Sequence, residues 1–210
     1  MPDTAQAPAA GASAAPGYAK GRRRREQIVA AAAATYAEAG YDGASLREIA
    51  KRAGISHTGL LHHFPSREAL LAAVLEERDR RDAARGEPHP PAGVGALREF
   101  VALAAHNAAH PGIVELYVRM AAEAVASEHP AHAYFTGHYR AARGYVRASF
   151  EALAEQGGLR AGADPATASV MFIALMDGLQ VQWLTNPDEV DLVAPLRSFL
   201  TLVVAEPLAG

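Results

Sequence analysis

The stretch SLREIAKRAGISHTGLLHHF, from Ser45 to Phe64, constrains the chain most tightly, because it joins two amphipathic segments, each too short to persist alone, through one glycine-containing turn. Ser45 stands three residues before Glu48, the spacing at which a serine caps the free amides of a new helix. Leu46, Ile49 and Ala50 fall on the inner side of that helix, and Gly54 ends it. Ser56 can cap a second helix carrying Leu60, Leu61 and Phe64, which stops before Pro65. Ala50 is small where the two helices must approach closely, and Ile55 and Leu60 can pack back into the module. Such a pair is a helix-turn-helix, whose second helix is placed to enter a DNA major groove. A bland helical hairpin would share the glycine turn. The difference is the basic arm just before it, Lys20, Arg22, Arg23, Arg24 and Arg25, which can neutralise backbone phosphates.

The remainder also reads as helix. Ile28, Ala32 and Tyr36 recur at helical spacing from about Arg22 to Ala39, with Gly40 as the stop. Ser66 caps a further helix with Leu70, Leu71, Val74 and Leu75 inward, running to about Arg85, where GEPHPPAGVG sets three prolines and three glycines in ten residues. Beyond it apolar periodicity returns over residues 97–108, 113–125, 134–153, 167–184 and 192–204, the pattern of a helical bundle. No β-branched alternation bounded by turns and no internal repeat accompanies it. The fold class is therefore all-α, with a three-helix helix-turn-helix domain over residues 20–66, a connecting helix over 67–85 and a helical bundle over 86–210. The first 19 residues are rich in Ala, Pro and Gly and are expected to form a disordered tail.

Charge follows the same division. Residues 1–85 carry 13 Lys+Arg against 10 Asp+Glu, and residues 86–210 carry 7 against 13, a basic module on an acidic one. The chain has no cysteine, so disulfide scaffolds and cysteine-ligated metal sites are excluded. With no apolar run of about 18 residues and no basic-then-apolar start, neither a membrane span nor export is expected, and the expected location is the cytoplasm.

One bundle helix is unusual. Asp164 followed by Pro165 combines a side-chain cap with a first-turn residue that misses no donor, so a long helix begins there. Its sequence ASVMFIALMDGLQVQWL is apolar nearly all round: Val170, Ile173, Ala174, Leu175, Met176, Leu179 and Val181 cover more than one face. A helix exposed to water on one side does not do that, and LVAPLRSFLTLVV from Leu192 has the same excess. A two-fold, four-helix homodimer interface built from the helices near 167–184 and 192–204 explains both, with Leu179 and Phe199 as expected contact positions. A large core within one chain is the alternative.

The stretch GRRRREQIVAAAAATYAEAGYDGASLREIAKRAGISHTGLLHHFPSREALLAAVLEE resembles, over its whole length, the DNA-binding domain of TetR-type transcriptional regulators. The resemblance rests on Gly40 to Ala44, on the IA-x-x-AG-IS core from Ile49 to Ser56, and on HF-x-S-R-E-x-L from His63 to Leu70, in family order and spacing. It implies a dimer on a palindromic operator in double-stranded DNA, a repressor released by a small-molecule effector that binds in the C-terminal region. It also implies that Ser56, His57, Thr58 and Gly59 face base edges, and that His62 stands where members usually have a phosphate-contacting tyrosine. Arg22, Arg23, Arg24, Ser45, Arg47 and Arg67 complete the expected DNA contacts, with Lys51 and Arg52 also expected on phosphates and His63 either a contact or a brace. His57 can donate to guanine O6 or N7 and Thr58 can set its methyl against thymine. None of the four is an arginine, so readout is expected to rest partly on DNA shape.

For the effector, the aromatic, sulfur-containing and polar residues of the C-terminal half are the candidates: Tyr117, Met120, Glu123, Phe135, His138, Tyr139, Met176, Asp177, Gln180 and Trp183, with Tyr134 and Phe172 nearby in sequence. Asp177 beside Gly178 stands out, because a carboxylate inside an apolar helix needs a partner. Two other functions stay open: a helix-turn-helix protein without a small-molecule effector, and a helical-bundle metalloprotein using His106 with His110, or His129, His132 and His138, among its nine histidines. No HExxH, phosphate loop or nucleophile elbow accompanies them, so neither a metal, a cofactor nor catalysis is expected.

Overall fold

The computed structural model describes residues 16–85 and 93–205, and these form α1 (Pro16–Gly43), α2 (Leu46–Arg52), α3 (His57–His63), α4 (Arg67–Arg85), α5 (Val94–Ala108), α6 (Pro111–Glu123), α7 (His132–Glu155), α8 (Pro165–Thr185) and α9 (Ala194–Val203). The expected tail up to residue 15 and residues 86–92 of the Pro/Gly-rich connection lie outside the described residues. Among the described residues the only β-type pairing is an isolated bridge, Leu159 with Val204, which ties the turn after α7 to the end of α9. No described helix is long and apolar enough to cross a membrane.

The helix signals are realised atom by atom. Ser45 Oγ accepts from Glu48 N at 3.2 Å, Ser56 Oγ from Gly59 N at 3.0 Å, and Ser66 Oγ from Ala69 N at 3.1 Å. Asp164 Oδ2 accepts from both the amide and the hydroxyl of Thr167 at 2.7 Å, with Pro165 in the first turn. Gly54 turns the chain with φ 66°, a left-handed conformation that a side chain would strain. α1 departs from expectation at both ends. It begins at Pro16 rather than Arg22, since proline is well suited to a first helical position, and it runs on to Gly43 past a break at Gly40, where φ is 70° and ψ 177°.

Two apolar cores result. The first gathers Ile28, Ala32 and Tyr36 of α1, Ile49 and Ala50 of α2, Leu60 of α3 and Leu70, Leu71, Val74 and Leu75 of α4, and continues into Leu116, Tyr117 and Met120 of α6 and Phe135 of α7. The second joins Leu97 and Val101 of α5, Val146 and Phe150 of α7, Phe172, Ile173, Met176 and Leu179 of α8, and Leu196 and Leu200 of α9. The packing thus divides within α7, with Tyr139 packed against both cores. α9 starts at Ala194 rather than Leu192 because Asp191 Oδ1 accepts from the amides of Val193 and Ala194.

α6 touches α1 almost backbone to backbone. A Cβ added at Gly112 would lie 3.0 Å from the Ala37 carbonyl oxygen and 3.3 Å from Ala37 Cα. Neither atom can swing aside as a side-chain tip would. Gly112→Val is therefore expected to separate α1 from α6 and destabilise the protein by about 1–3 kcal/mol, read as a lower urea midpoint, whereas Gly95→Ala, at a helical glycine with open space around it, should not destabilise it.

Candidate DNA-reading helix and effector site

α3 is held by Leu60, fully buried in the first core, so its opposite side must face outward. Thr58 and His62, one turn apart, are exposed there, flanked by half-buried His57, Gly59 and His63. The Ser45 and Ser56 hydroxyl oxygens are occupied as caps, which leaves each hydroxyl proton to donate outward. Gly59 has a local reason as well: a Cβ there would meet Ser56 Oγ at 3.2 Å. His62 and His63 lie edge to face with ring centroids 5.8 Å apart.

The cations sort into two groups. Arg23 and Arg47 are exposed, Arg24 is half-buried, and Arg22 pairs loosely with Glu26 at 3.6 Å. Arg52 is spoken for: its two terminal nitrogens hold both Glu38 oxygens at 2.6 and 2.7 Å, which braces α2 on α1. Arg67 corrects the expectation for it more strongly. Its guanidinium lies 3.8 Å above the Tyr41 ring, with Nε and Nη2 buried and without hydrogen-bond partners, beside Tyr36, whose hydroxyl burial pushes up to about 12. Stacking on an aromatic face turns most of this guanidinium inward, so Arg67 packs the module.

In the C-terminal half the structure gathers most of the expected residues at the junction of the two cores. The ring of Tyr117 lies 5.3 Å from Phe135 and 5.5 Å from His138, and Tyr139 lies 5.6 Å from His138 and 6.2 Å from Phe135. Met120 is buried beside them in the first core and Met176 in the second. Asp177 meets this cluster from α8: burial pushes its carboxyl up, while hydrogen bonding from Tyr139 and the charge of His138 oppose that. Gln180 is buried one turn further on, and Trp183 packs on the second core. Glu123 is not part of the cluster. It is exposed at the end of α6, with a carboxylate oxygen 3.7 Å from His129 Nε2.

Asp79 was not legible as a site residue. On α4 its Oδ2 accepts from the Tyr134 hydroxyl at 2.6 Å and from His138 Nδ1 at 2.9 Å, and Arg78 beside it donates to the buried Asn107 Oδ1 at 2.9 Å and stacks over Tyr117 at 5.4 Å. Its only sequence signal was an acid–base pair on a helix full of them. Three further histidines are engaged locally: His132 Nδ1 reaches the Ala124 carbonyl at 2.9 Å, His110 Nδ1 the His106 carbonyl at 2.8 Å, and His129 Nδ1 accepts from Ala131 N at 3.3 Å. Among the described residues no group of three or more His, Asp or Glu side chains is disposed to hold a metal ion. An open groove of about 490 Å³ lies elsewhere, between α1 and α4, and its lining of Arg23, Arg25, Arg80, Arg81, Glu26 and Glu77 is too charged to resemble the apolar sites that small effectors use.

A helix-turn-helix carried on a helical bundle is the architecture of DNA-binding regulators. Residues 28–74 match the profile of bacterial regulatory proteins of the tetR family, and residues 94–204, more than half of the chain, match that of the BetI-type transcriptional repressor C-terminal region. The chain belongs to the TetR family. It is 44% identical over 54 residues to the HTH-type transcriptional regulator RutR of Escherichia coli K12, a stretch covering 26% of each protein. The chain thus spans about a quarter of that curated relative's length in the matched stretch. Among solved structures, Salmonella enterica GusR has a TM-score of 0.62 at 25% identity, covering 86% of this chain and 95% of its own. A regulator from Saccharomonospora viridis solved with choline has a TM-score of 0.67 at 22% identity over 88% of this chain and 100% of its own.

The raised Asp177 carboxyl has a consequence for stability. The folded protein holds this proton more tightly than the unfolded chain, so the stabilisation is fully present below the ordinary value of 3.8 and is lost as pH rises through the raised one. Asp177→Asn, which keeps the shape and removes the charge, should therefore raise Tm at pH 7, and its advantage over the native protein should narrow as pH falls toward 3.8 in calorimetry at a series of pH values.

Proposed function

We propose that the chain is a dimeric, ligand-responsive transcriptional repressor that binds a palindromic operator and is released by a small molecule. The observation that carries this reading is the double attachment of α4. Its first half buries Leu70, Leu71, Val74 and Leu75 against the helix-turn-helix, and its second half is bonded through Asp79 to Tyr134 and His138 of α7. A rigid helix held at both ends transmits displacement, so a ligand that alters the α7 contact swings the reading helix. The two reading helices of a dimer must sit about one DNA turn apart, roughly 34 Å, for both to enter major grooves. A tenfold loss of operator affinity requires the ligand to prefer the displaced arrangement by about 1.4 kcal/mol.

In this reading residues 20–66 read DNA, 67–85 transmit, and 86–210 bind effector and dimerise. Thr58, His57, Gly59 and Ser56 face base edges, and Arg22, Arg23, Arg24, Arg47, Ser45, His62 and His63 position the domain on the backbone. Tyr117, Met120, Phe135, His138, Tyr139, Met176, Asp177, Gln180 and Trp183 surround the effector. The repressor name of the C-terminal profile and the choline found in the S. viridis regulator support an effector-released repressor over a regulator without effector.

Gel shifts on the DNA flanking its own gene test the assignment. Arg23→Ala with Arg24→Ala should weaken binding to all DNA alike and flatten the salt dependence, whereas His57→Ala or Thr58→Ala should relax preference at particular base pairs by about 1–3 kcal/mol each. An arm variant that changed the preferred sequence, or a wild type with no specific shift, would overturn it.

The dimer is assigned to the outward stripe of α8. Val170, Met171 and Val181 are about half exposed there, Gly178 has open space where a Cβ would go, and Leu202 of α9 is 74% exposed. Leu179 and Phe199, expected at the interface, instead face the protomer's own second core. Val170→Glu with Val181→Lys should therefore give a folded monomer by sedimentation, and Leu179→Asp an unfolded chain. A wild type that sediments as a stable monomer at micromolar concentration would remove the palindromic operator.

A further inference from the structure

α8 turns two polar side chains toward the bundle interior, Asp177, which accepts from Tyr139, and Gln180, whose carbonyl oxygen the protein does not itself match. Asp177 lies among Tyr117, Tyr139 and His138, in surroundings that disfavour its charge. One turn further along the same side, Gln180 is only 5% exposed and its Oε1 has no hydrogen-bond partner. A buried acceptor without a donor is destabilising, and native proteins keep such groups where something else supplies the donor. Around Asp177 stand aromatic rings, with Tyr117 and Phe135 centroids 5.3 Å apart and Phe135 and Tyr139 6.2 Å apart. The protein's nearby guanidiniums, Arg78 and Arg143, lie over the rings of Tyr117 and Tyr139 at 5.4 and 6.0 Å.

We infer that the effector is an apolar small molecule bearing a protonated primary or secondary amine, its ammonium held between Asp177 and Gln180 and its hydrocarbon part against the Tyr117, Phe135 and Tyr139 rings. The chemistry follows from three separate demands. The carboxylate calls for a positive charge, the Gln180 oxygen calls for a hydrogen-bond donor, and the rings favour a cation attached to an apolar body. A neutral alcohol can supply the donor and the apolar body but not the charge. A quaternary ammonium meets the first and third but leaves the Gln180 oxygen without a donor. This inference rests on the effector-responsive reading proposed above.

Three probes of one shape separate the demands: phenethylamine, phenethyltrimethylammonium and phenethyl alcohol, each titrated at pH 7 by calorimetry and by the fluorescence of Trp183, the sole tryptophan, on the same helix. The amine should bind about tenfold more tightly than the alcohol and more tightly than the quaternary cation. Asp177→Asn should reduce the amine to the level of the alcohol. Gln180→Met should abolish the preference for the amine over the quaternary cation while raising the Tm of the ligand-free protein, which also keeps the test decisive should Asp177→Asn fold poorly. Equal binding of amine and alcohol, including binding of neither at millimolar concentration, overturns the inference, as does an amine preference that survives Asp177→Asn. The operator shift separates it from the reading beneath it. A neutral compound that releases DNA would sink the amine assignment and leave the repressor, whereas an amine that binds through Asp177 without weakening operator binding would leave the site chemistry and sink its role as the effector site.

Discussion

α4 joins the helix-turn-helix to the bundle as one rod, packed into the first core at one end and held by polar bonds at the other, and much else in the molecule follows from that. Its inner face at Leu70, Leu71, Val74 and Leu75 is sealed in the first core, so its N-terminal turns move with the helix-turn-helix. Further along, Asp79 and Arg78 leave apolar packing for directed bonds, to Tyr134 and His138 on one side and Asn107 on the other. Apolar packing is dense and non-directional and resists sliding, while a few polar bonds can be exchanged for others at small cost in free energy. The rod is thus fixed firmly at the reading end and by replaceable contacts at the bundle end, which is the asymmetry a switch requires. α6 adds a second joint, since Gly112 brings its first turn against the Ala37 backbone of α1.

The candidate effector cluster sits where the two cores meet. Tyr139 packs against both, and Asp177, His138 and Tyr117 surround it. A compound lodged there would lie among α6, α7 and α8, and α7 carries both partners of Asp79. In the proposed mechanism the distance from ligand to DNA is therefore covered by short steps through contiguous contacts, Asp177 to Tyr139, Tyr139 to His138, His138 to Asp79, and Asp79 along α4. Each step is a specific contact that a substitution can remove, so the coupling can be examined by double-mutant cycles.

Local signals with a fixed chemical cause were readable in the sequence, and contacts distant in sequence were not. The caps at Ser45, Ser56, Ser66 and Asp164 could be placed because a side-chain oxygen and an amide three residues on determine them, and the structure has all four. The five bundle helices followed from apolar spacing. Inward and outward positions on α8 could not be separated, because a helix apolar on every side offers no contrast. That is why Leu179 was expected at the dimer interface when Val170, Met171 and Val181 are the residues left exposed. Arg67 and Arg52 looked like phosphate contacts since charge alone says nothing of direction, whereas the Tyr41 ring and Glu38 claim them. Asp79 and Gly112 depend on partners at α7 and α1, far along the chain, and no local pattern marks either.

The two sides of α8 bring the proposed effector and the proposed dimer into one helix. Its outward stripe is Val170, Met171, Gly178 and Val181, its inward stripe Ile173, Met176 and Gln180, and Asp177 lies on the border between them. A helix that is stiff along its axis cannot shift on one side without shifting on the other. If the stripe is paired with its two-fold copy, a displacement driven at Asp177 in one protomer must be accommodated at Gly178 against the partner, where the absence of a side chain allows close approach. Two consequences follow from the symmetry. Ligand entering one protomer alters the geometry offered to ligand in the other, and both reading helices respond to a change at a single shared axis. The spacing of the reading helices across a palindrome is then set by the α8 pair, and the same pair is the surface through which an effector would have to act.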